Sequence, residues 1–458
     1  MVRADRGAAF GCVGSFTARR SLVRVAGPLV GGMLLVALMQ SALARDGALF
    51  PGQEPLSPDR LVAAVLRRNP GLAAQRAALT EAAARIKTAG RLSDPTLSVA
   101  VAPGTIGNAV GAREDIEVSQ ALPWWGTLDA RSAAARLKAD AASEDVQSLA
   151  LRLRALAQSE YAEWWYIHAA LKINQRHQAL YAELREAAKA RFAAGLAPEQ
   201  DVLQADLERT MLRQESLVLR QQQLVIQADI NALLNLPGDA PLPPPGPLPP
   251  ATDLPPLPAL RAFALEQHPN VRELELKERV ASEQVTLAQK ARFPNFTVSA
   301  GYNSMWDSVP MRPMVGVAIN VPLDQGRRRA AIDAARAGAR RARDSLIDLS
   351  AHLGGQITAA YAAVGEERRS LALYRNQLVP LAKSTLAVSR SEYAAGRSSF
   401  LYIIDAERGW LDAELGLART RAELYRSLAR LGRLAGTSLP IEIPRSGRML
   451  DAAHVRRR

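Results

Sequence analysis

Two kinds of hydrophobic pattern alternate along this chain, and their order occurs twice. Four short runs alternate apolar with polar residues, which predicts β-strands with one apolar face; they lie at residues 97–101, 116–119, 296–303 and 315–321. The long segments that follow the paired runs space their apolar residues by three and four, which predicts helices packed as coiled coils. Each half is therefore expected to be a helix, two strands, a very long helix, a tip and a return helix.

Turn residues mark the boundaries of these elements. Asn69-Pro70 and His268-Pro269 predict matching breaks in the first helical segment of each half, because proline cannot continue a helix. Eleven prolines between residues 237 and 258 predict an extended linker. Pro380 predicts a kink in the second long helix.

These boundaries divide the chain into five predicted segments. They are a signal peptide (1–44), a first repeat (45–236), the linker (237–258), a second repeat (259–437) and a C-terminal tail (438–458). The signal peptide is predicted from a basic start, an apolar run and the small-residue site Ala42-Leu43-Ala44. The alternative, a transmembrane anchor, is disfavoured because the apolar run is short and broken by proline and glycine.

The two long helices end in matching sequences, residues 192–206 and 393–407. Each contains an aromatic residue, Ala-Ala-Gly, a short polar turn and an apolar-acidic run. The glycines, Gly195 and Gly396, predict a left-handed stop of the long helix. Ala197-Pro198 in one copy and Ser398 in the other predict the start of the return helix. We therefore expect a hairpin tip in each half.

Composition and charge exclude several classes of protein. The chain has 58 Lys and Arg against 45 Asp and Glu, and this excess is spread among interleaved acids, which disfavours nucleic acid as a partner. The only cysteine, Cys12, lies in the leader, so disulfides and cysteine metal sites are excluded from the mature chain. The five histidines form no ligand cluster and there is no nucleotide-binding loop. We expect no enzyme, no metal site and no cofactor.

The strands with their flanks are long enough to cross a bilayer, for which about 9–11 tilted residues suffice. Four strands cannot close a barrel, and an open edge in lipid leaves backbone groups unpaired. The chain must then oligomerise, and three copies would supply twelve strands, within the known range of membrane barrels. The alternation predicts a lipid-facing set, Leu97, Val99, Phe296, Val298, Val317 and Ile319, and a water-facing set, Ser98, Glu117, Thr297 and Asn320.

In its duplicated order, its Pro-to-Gly turns into long helices and its paired tips, the chain resembles the TolC-type outer-membrane efflux protein family from about residue 56 to residue 438. The resemblance implies a mainly α-helical fold with a membrane β-barrel: a homotrimer with a twelve-stranded barrel in outer-membrane lipid and a long periplasmic helical tunnel. It also implies a passive efflux duct without a cofactor. Its tips, Gly195, Leu196, Gly396 and Arg397, would dock a periplasmic adaptor protein that serves an inner-membrane pump of the RND type.

Residues 117–126, Glu-Val-Ser-Gln-Ala-Leu-Pro-Trp-Trp-Gly, are similar to members paired with heavy-metal cation pumps (CusC- or CzcC-like). This resemblance implies heavy-metal cations as the exported cargo. Two alternatives keep the channel but change the cargo to drugs or to secreted protein by a type I system. Another class, a soluble coiled-coil periplasmic adaptor or structural protein, is disfavoured by the alternating strand pairs.

Acidic residues follow both tips. Asp201 and Asp206 follow the first tip, and Asp405 and Glu407 follow the second. Acids in the first turns of a helix also stabilise its dipole, so the pattern alone leaves their role open. The family carries acids around its closed periplasmic entrance at the positions of the second tip; Asp405 matches, whereas Tyr402 replaces one of them. The resemblance therefore implies that these four acids line a periplasmic gate.

Overall fold

A computed structural model describes residues 50, 54–102, 113–250, 253–306 and 308–437. The chain divides into two units, residues 1–54 and residues 55–458, and the described helices and strands lie in the second. The predicted signal peptide and the predicted C-terminal tail lie outside the described residues, as does loop 103–112.

The predicted order of elements occurs twice. The first half contains α1 (Pro58–Arg68), α2 (Pro70–Ala89), β1 (Thr96–Val101), β2 (Glu114–Leu122), α3 (Thr127–Ala193) and α4 (Glu199–Leu233). The second half contains α5 (Leu257–Gln267), α6 (Pro269–Lys290), β3 (Asn295–Asn303), a 3₁₀ turn (Val309–Met311), β4 (Pro313–Asn320), α7 (Gln325–Leu373), a π-helical turn (Tyr374–Leu378), α8 (Val379–Ala394) and α9 (Phe400–Ala435). The mainly helical fold and its internal duplication are as predicted.

The breaks between the first two helices of each half are built alike. Asn69 and His268 each end one helix and cap the next, whose first residue is a proline. Asn69 Oδ1 accepts a hydrogen bond from the Leu72 amide (3.2 Å), and His268 Nδ1 accepts one from the Asn270 amide (3.1 Å). Both predicted breaks are therefore present, each stabilised by a side-chain cap.

The four strands form one antiparallel sheet in the order β1-β2-β3-β4, so β1 and β4 are its edges. In an antiparallel sheet, directly opposed residues lie on the same face. The register makes one face largely apolar, with Glu114 and Gln120 as its polar members. Its apolar residues are Leu97, Val99, Val101, Ile116, Val118, Leu122, Phe296, Val298, Tyr302, Val315, Val317 and Ile319. The opposite face carries Ser98, Asp115, Glu117, Ser119, Thr297, Ser299, Asn303 and Asn320. The two predicted sets thus lie on opposite faces of the sheet.

An aromatic cluster lies where the sheet meets the helices. The Trp124 ring stacks on Phe293 with centroids 4.7 Å apart, and Trp125 lies 5.4 Å from Phe296. Asn295 Oδ1 accepts a hydrogen bond from the Trp124 amide at 3.2 Å. The turn ends at Gly126, whose left-handed φ of 72° a side chain would resist. These contacts fix the angle at which the chain leaves β2 and enters α3.

The two long helices differ. The first, α3, runs unbroken for 67 residues, about 100 Å at 1.5 Å per residue. The second is interrupted by the π-helical turn at Tyr374–Leu378, directly before Pro380, which lacks the amide hydrogen that a regular helix needs there. Next to Pro380, where the sequence predicts a kink, the structure thus has a π-helical turn. None of the helices in the described ranges is both long enough and apolar enough to span a bilayer.

The linker is held against α3 by a buried tyrosine. Tyr161 is fully buried, and its hydroxyl lies 2.8 Å from the Leu56 carbonyl and 2.9 Å from the Gly246 carbonyl. The Trp164 indole donates to the Pro243 carbonyl at 3.1 Å. These bonds join the segment before α1, the extended linker and the middle of α3.

Replacement of Tyr161 by Phe should lower stability by about 1–3 kcal/mol, because it leaves a buried carbonyl without its donor. The readout is the unfolding midpoint of the detergent-solubilised protein. Tyr166→Phe is the matched control: the Tyr166 hydroxyl only accepts an exposed bond from Arg419 (3.2 Å), so its midpoint should stay close to the unchanged protein. Equal midpoints for both variants would refute the role assigned to Tyr161.

Candidate functional site at the two helix tips

The two tips have the same backbone structure. At the first, the Gly195 amide donates to the Phe192 carbonyl (2.9 Å) and the Leu196 amide donates to the Arg191 carbonyl (2.8 Å). At the second, the same two bonds run from Gly396 to Tyr393 (3.0 Å) and from Arg397 to Glu392 (2.9 Å). This pair of bonds is the Schellman ending of a helix, and the glycines have the left-handed φ it requires, 70° and 71°.

Both tip glycines and the residues after them are exposed to solvent. An added Cβ would meet nothing within 4 Å at Gly195 or Gly396, so the glycines are needed for backbone conformation and not for close packing. The exposed Leu196 and Arg397 complete the predicted tip residues. Ser399 occupies the N-cap position of the return helix at the second tip, so the predicted start at Ser398 is one residue early.

Polar contacts join one tip to the other. The Tyr393 hydroxyl, at the end of α8, donates to Asp201 Oδ2 on α4 at 2.8 Å. Arg191 on α3 donates to the Ala394 carbonyl at 3.1 Å and lies over the Tyr393 ring at 4.7 Å. Burial, together with the bond to Asp201, raises the pKa of Tyr393 to about 12, so its hydroxyl remains a donor at neutral pH. The two hairpins are therefore tied together at their ends.

The four predicted gate acids occupy three kinds of environment. Asp405 is exposed, and its side chain lies 4.0 Å from Arg408. Asp206 is partly exposed and accepts a hydrogen bond from Arg185 Nε at 2.8 Å. Asp201 accepts its hydrogen bond from Tyr393. Of these three, Asp405 is the most open to solvent and the least constrained by partners.

Glu407 lies in a different place from the one predicted. Its side chain is fully buried, with Oε1 2.6 Å from His177 Nδ1 on α3. Position 407 falls on the face of α9 that packs against α3, next to the buried Ala406 and Ile403. A carboxylate enclosed within one protomer cannot line a pore, so Glu407 is removed from the set of gate residues.

The sequence interpretation missed a second buried charge. Glu208 on α4 is buried and receives two hydrogen bonds from Arg408 on α9, one of them from Nε to Oε2 at 3.0 Å. Tyr393, His177 and Glu208 were not predicted as site residues. The available signal was weak: His177 and Glu208 occupy core positions in the three-four spacing of their helices, where a charged residue needs a partner.

This region is suited to mechanical and electrostatic roles more than to chemistry. In the described part of the chain no three His, Cys, Asp or Glu side chains are grouped so as to hold a metal ion. The four predicted acids and Glu208 are each engaged by arginine, tyrosine or histidine, and the weakest of these contacts is the long, exposed ion pair of Asp405 with Arg408. The arrangement positions two hairpins, and of the four predicted acids it presents one, Asp405, exposed close to their ends.

Comparison with known proteins gives a family match and a relative. Residues 260–437 match the model of the family described as outer membrane efflux protein. Nodulation protein T of Rhizobium leguminosarum bv. trifolii is 26% identical over 324 residues, which are 67% of this chain and 67% of that protein.

Solved structures share the fold. The outer-membrane channel OprN superposes with a TM-score of 0.73 at 22% identity, over 83% of this chain and 90% of that one. CusC superposes with a TM-score of 0.72 at 17% identity, over 83% of this chain and 92% of that one. The similar scores mean that the fold does not separate a CusC-like branch from others. The predicted resemblance and the predicted fold class are confirmed by these matches.

Proposed function

We propose that this chain, which belongs to the outer membrane efflux protein family and is located in the outer membrane, is the passive exit duct of a tripartite efflux system. Three copies would form a channel that receives its cargo from an inner-membrane pump through a periplasmic adaptor. The chain is a channel protein and not an enzyme. The observation that carries this proposal is the sheet, which has one largely apolar face and two edges, β1 and β4, that pair with no further strand among the described residues.

The sheet supports assembly in a membrane. Its apolar face is exposed in the single chain, as at Val315 (84%) and Val317 (67%), and lipid is the solvent that such a face requires. The free edges of β1 and β4 cannot remain unpaired in lipid. Pairing β4 of one copy with β1 of the next uses both edges, and three copies then give 3 × 4 = 12 strands.

The helices present a matching pair of unpartnered surfaces. On α4, which packs chiefly against α3, an apolar stripe is exposed; it contains Leu203, Leu207, Met211, Leu217 and Leu224. On α8, Leu381 and Val388 are exposed and seven residues apart, the spacing of a coiled-coil seam. Since α4 leaves one tip and α8 enters the other, the two stripes fit an antiparallel contact between neighbouring copies.

The tips are proposed to be the docking surface for the adaptor. Six tips, two from each of three copies, would form the periplasmic end of the tunnel. Gly195, Leu196, Gly396 and Arg397 are exposed there, and the Schellman turns hold them in one defined conformation. A rigid surface of this kind can be recognised without ordering a loop on binding.

The gate is proposed to combine the ties between the hairpins with a ring of carboxylates. Tyr393 bonded to Asp201 holds the end of α8 to the first hairpin. Three copies of the exposed Asp405 would place negative charge at the constriction, which favours cations. Asp206, bonded to Arg185, is assigned a supporting position beside this entrance.

Heavy-metal cations are the proposed cargo. This choice rests on one short stretch of sequence, whereas the channel function rests on the whole fold. The stretch 117–126, which resembles members paired with metal pumps, forms the end of β2 and part of the aromatic cluster. The contacts of this stretch stabilise the junction between the sheet and α3. The identity of the neighbouring pump, and not these contacts, would identify the cargo. Loss of metal tolerance, with unchanged drug tolerance, after deletion of the gene would support the proposal; the reverse pattern would favour multidrug efflux.

The channel and its gate are tested together by single-channel recording in a planar bilayer. Asp405→Ala should raise conductance or lower cation preference, because it removes three charges from the constriction. Asp412→Ala is the control: it is also an exposed acid of α9, seven residues farther from the tip, and it should change neither property. Equal effects from both variants, or none from Asp405→Ala, would exclude Asp405 from the gate.

Docking is tested at the second tip. Gly396→Val places a β-branched residue at a φ of 71°, which costs about 1–2 kcal/mol or a local change of backbone. We expect adaptor co-purification to be lost while the trimer remains in the membrane. Gly409→Val, at an exposed helical glycine with nothing within 4 Å, should retain the adaptor. Loss of the trimer in Gly396→Val would assign the glycine to folding instead of docking.

A further inference from the structure

A buried charged cluster joins α3 to α9, between the tips and the middle of the helices. His177 Nδ1 lies 2.6 Å from Glu407 Oε1, and His177 Nε2 lies 3.1 Å from Glu414 Oε2. Arg176 Nη2 donates to the same Glu414 oxygen at 2.8 Å, and the Trp410 ring lies 4.8 Å from the imidazole. We call these five residues the His177 cluster. It links a helix of the first repeat to a helix of the second.

The geometry assigns a proton to both nitrogens of His177. A neutral imidazole has one donor and one acceptor, and an acceptor cannot bond a carboxylate. Because both ring nitrogens face carboxylates, the imidazolium is the form that satisfies the site. Glu407 depends on it, since His177 is its only hydrogen-bond donor in the described part of the chain and Glu407 Oε2 has none. Burial lowers the pKa of His177, but the hydrogen bonds and charges of Glu407 and Glu414 outweigh burial and raise it.

The charges around His177 balance only while it is protonated. From α3 the neighbouring groups are Arg176 and the buried Tyr181; from α9 they are Glu407, Glu414 and Arg408; from α4 it is Glu208. Arg408 and Glu208 neutralise each other in their own ion pair. Arg176 and His177 then balance the two remaining glutamates, +2 − 2 = 0. Loss of the His177 proton leaves a net charge of −1 in the cluster, and the Glu407 carboxylate, which is shielded from water, loses its cationic partner.

The cluster lies on the tip side of a break in the second hairpin. The π-helical turn separates α8 from α7, and the ring of its first residue, Tyr374, lies against Gly416 of α9 so closely that an added Cβ would be 2.5 Å from it. Glu407 and Glu414 come before Gly416 in α9. The segment formed by α8, the second tip and the start of α9 is therefore bounded by this break at one end, and the His177 cluster ties it to α3. The equivalent place in the first hairpin has no such break, since α3 is continuous.

We propose that protonated His177 is a positioning residue of the gate: it clamps the second hairpin to α3 in the closed channel and releases it on losing its proton. This inference rests on the proposed channel function and adds a regulatory group to it. The closed state binds the proton more tightly than an open state in which the carboxylates have moved away. The proton therefore stabilises the closed state fully below the ordinary histidine pKa of 6.5. This stabilisation is lost as the pH rises through the raised pKa that His177 has in the closed state. The channel should open with increasing pH.

Single-channel recording between about pH 6 and about pH 9 tests the clamp. In the unchanged protein, the ratio of open to closed channels should rise with pH, in total by about tenfold for each unit by which the His177 pKa in the closed state exceeds that in the open state. His177→Gln should be open more often at the low end and should lose this pH dependence. His352→Gln is the matched control, because His352 pairs with an adjacent acid of α7, Asp348, at the exposed surface (3.2 Å); its pH profile should match that of the unchanged protein.

If His177→Gln does not fold, a second variant and a second measurement still test the proposal. Glu414→Gln keeps the Glu407 bond but removes one of the two carboxylates, so the pH of half-opening should shift downwards. Hydrogen exchange of residues 400–415 needs no conducting channel; protection there should fall with rising pH in the unchanged protein and in His352→Gln, but not in His177→Gln. Channels that form with the same pH profile in all variants would overturn the clamp and leave the channel function intact. Absence of any channel would overturn the proposed function, and the gating role of His177 with it.

Discussion

An unpaired backbone edge is the constraint on which the rest of this structure depends. Inside lipid no water is available to bond a free amide or carbonyl, so a sheet there must have no edges. This chain supplies four strands with the edges β1 and β4 open. In the proposed assembly, further copies of the chain supply the complementary edges, and the twofold repetition within the chain already provides strand pairs of similar length. If the sheet closes in this way, the helices that continue from it are expected to close into a ring as well.

The helices carry apolar surfaces that are exposed in the single chain and could pack against neighbouring copies. The stripes on α4 and α8 are apolar and exposed, and the two residues on α8 have the seven-residue spacing of a coiled-coil seam. Charged residues are placed differently: Glu208, Glu407 and His177 are buried inside the protomer and paired there. A buried charge pair contributes little net stability but is costly to break. Pairs of this kind fix which helices are neighbours within the chain, and in the proposed assembly the apolar stripes would supply the association energy.

The two repeats share a backbone plan but not its polar contacts. The capped breaks, the strand pairs and the Schellman tips occur in both halves. The π-helical turn occurs in the second half only, among the described residues, and the bonds of Tyr393 and His177 run between the halves. Duplication therefore explains the scaffold, whereas the proposed gate depends on the positions at which the halves have diverged.

The fold was predictable from the sequence because its signals are local. Alternation located the four strands and their faces, and the proline breaks and tip glycines located the helix ends. The site was predicted less well because it depends on which helices are neighbours. Spacing from the tip placed Glu407 beside Asp405, but one is buried against α3 and the other is exposed. No local pattern shows that Tyr393 meets Asp201, since these residues are 192 positions apart.

The central claim is that closure of the sheet requires three copies. Native mass spectrometry of the protein, released from lipid nanodiscs in which it conducts, tests this claim directly. The account predicts a complex of three mature chains, with no conducting sample in which single chains predominate. A conducting species of one or two chains would contradict it, because four or eight strands of this sheet would then have closed without the third copy.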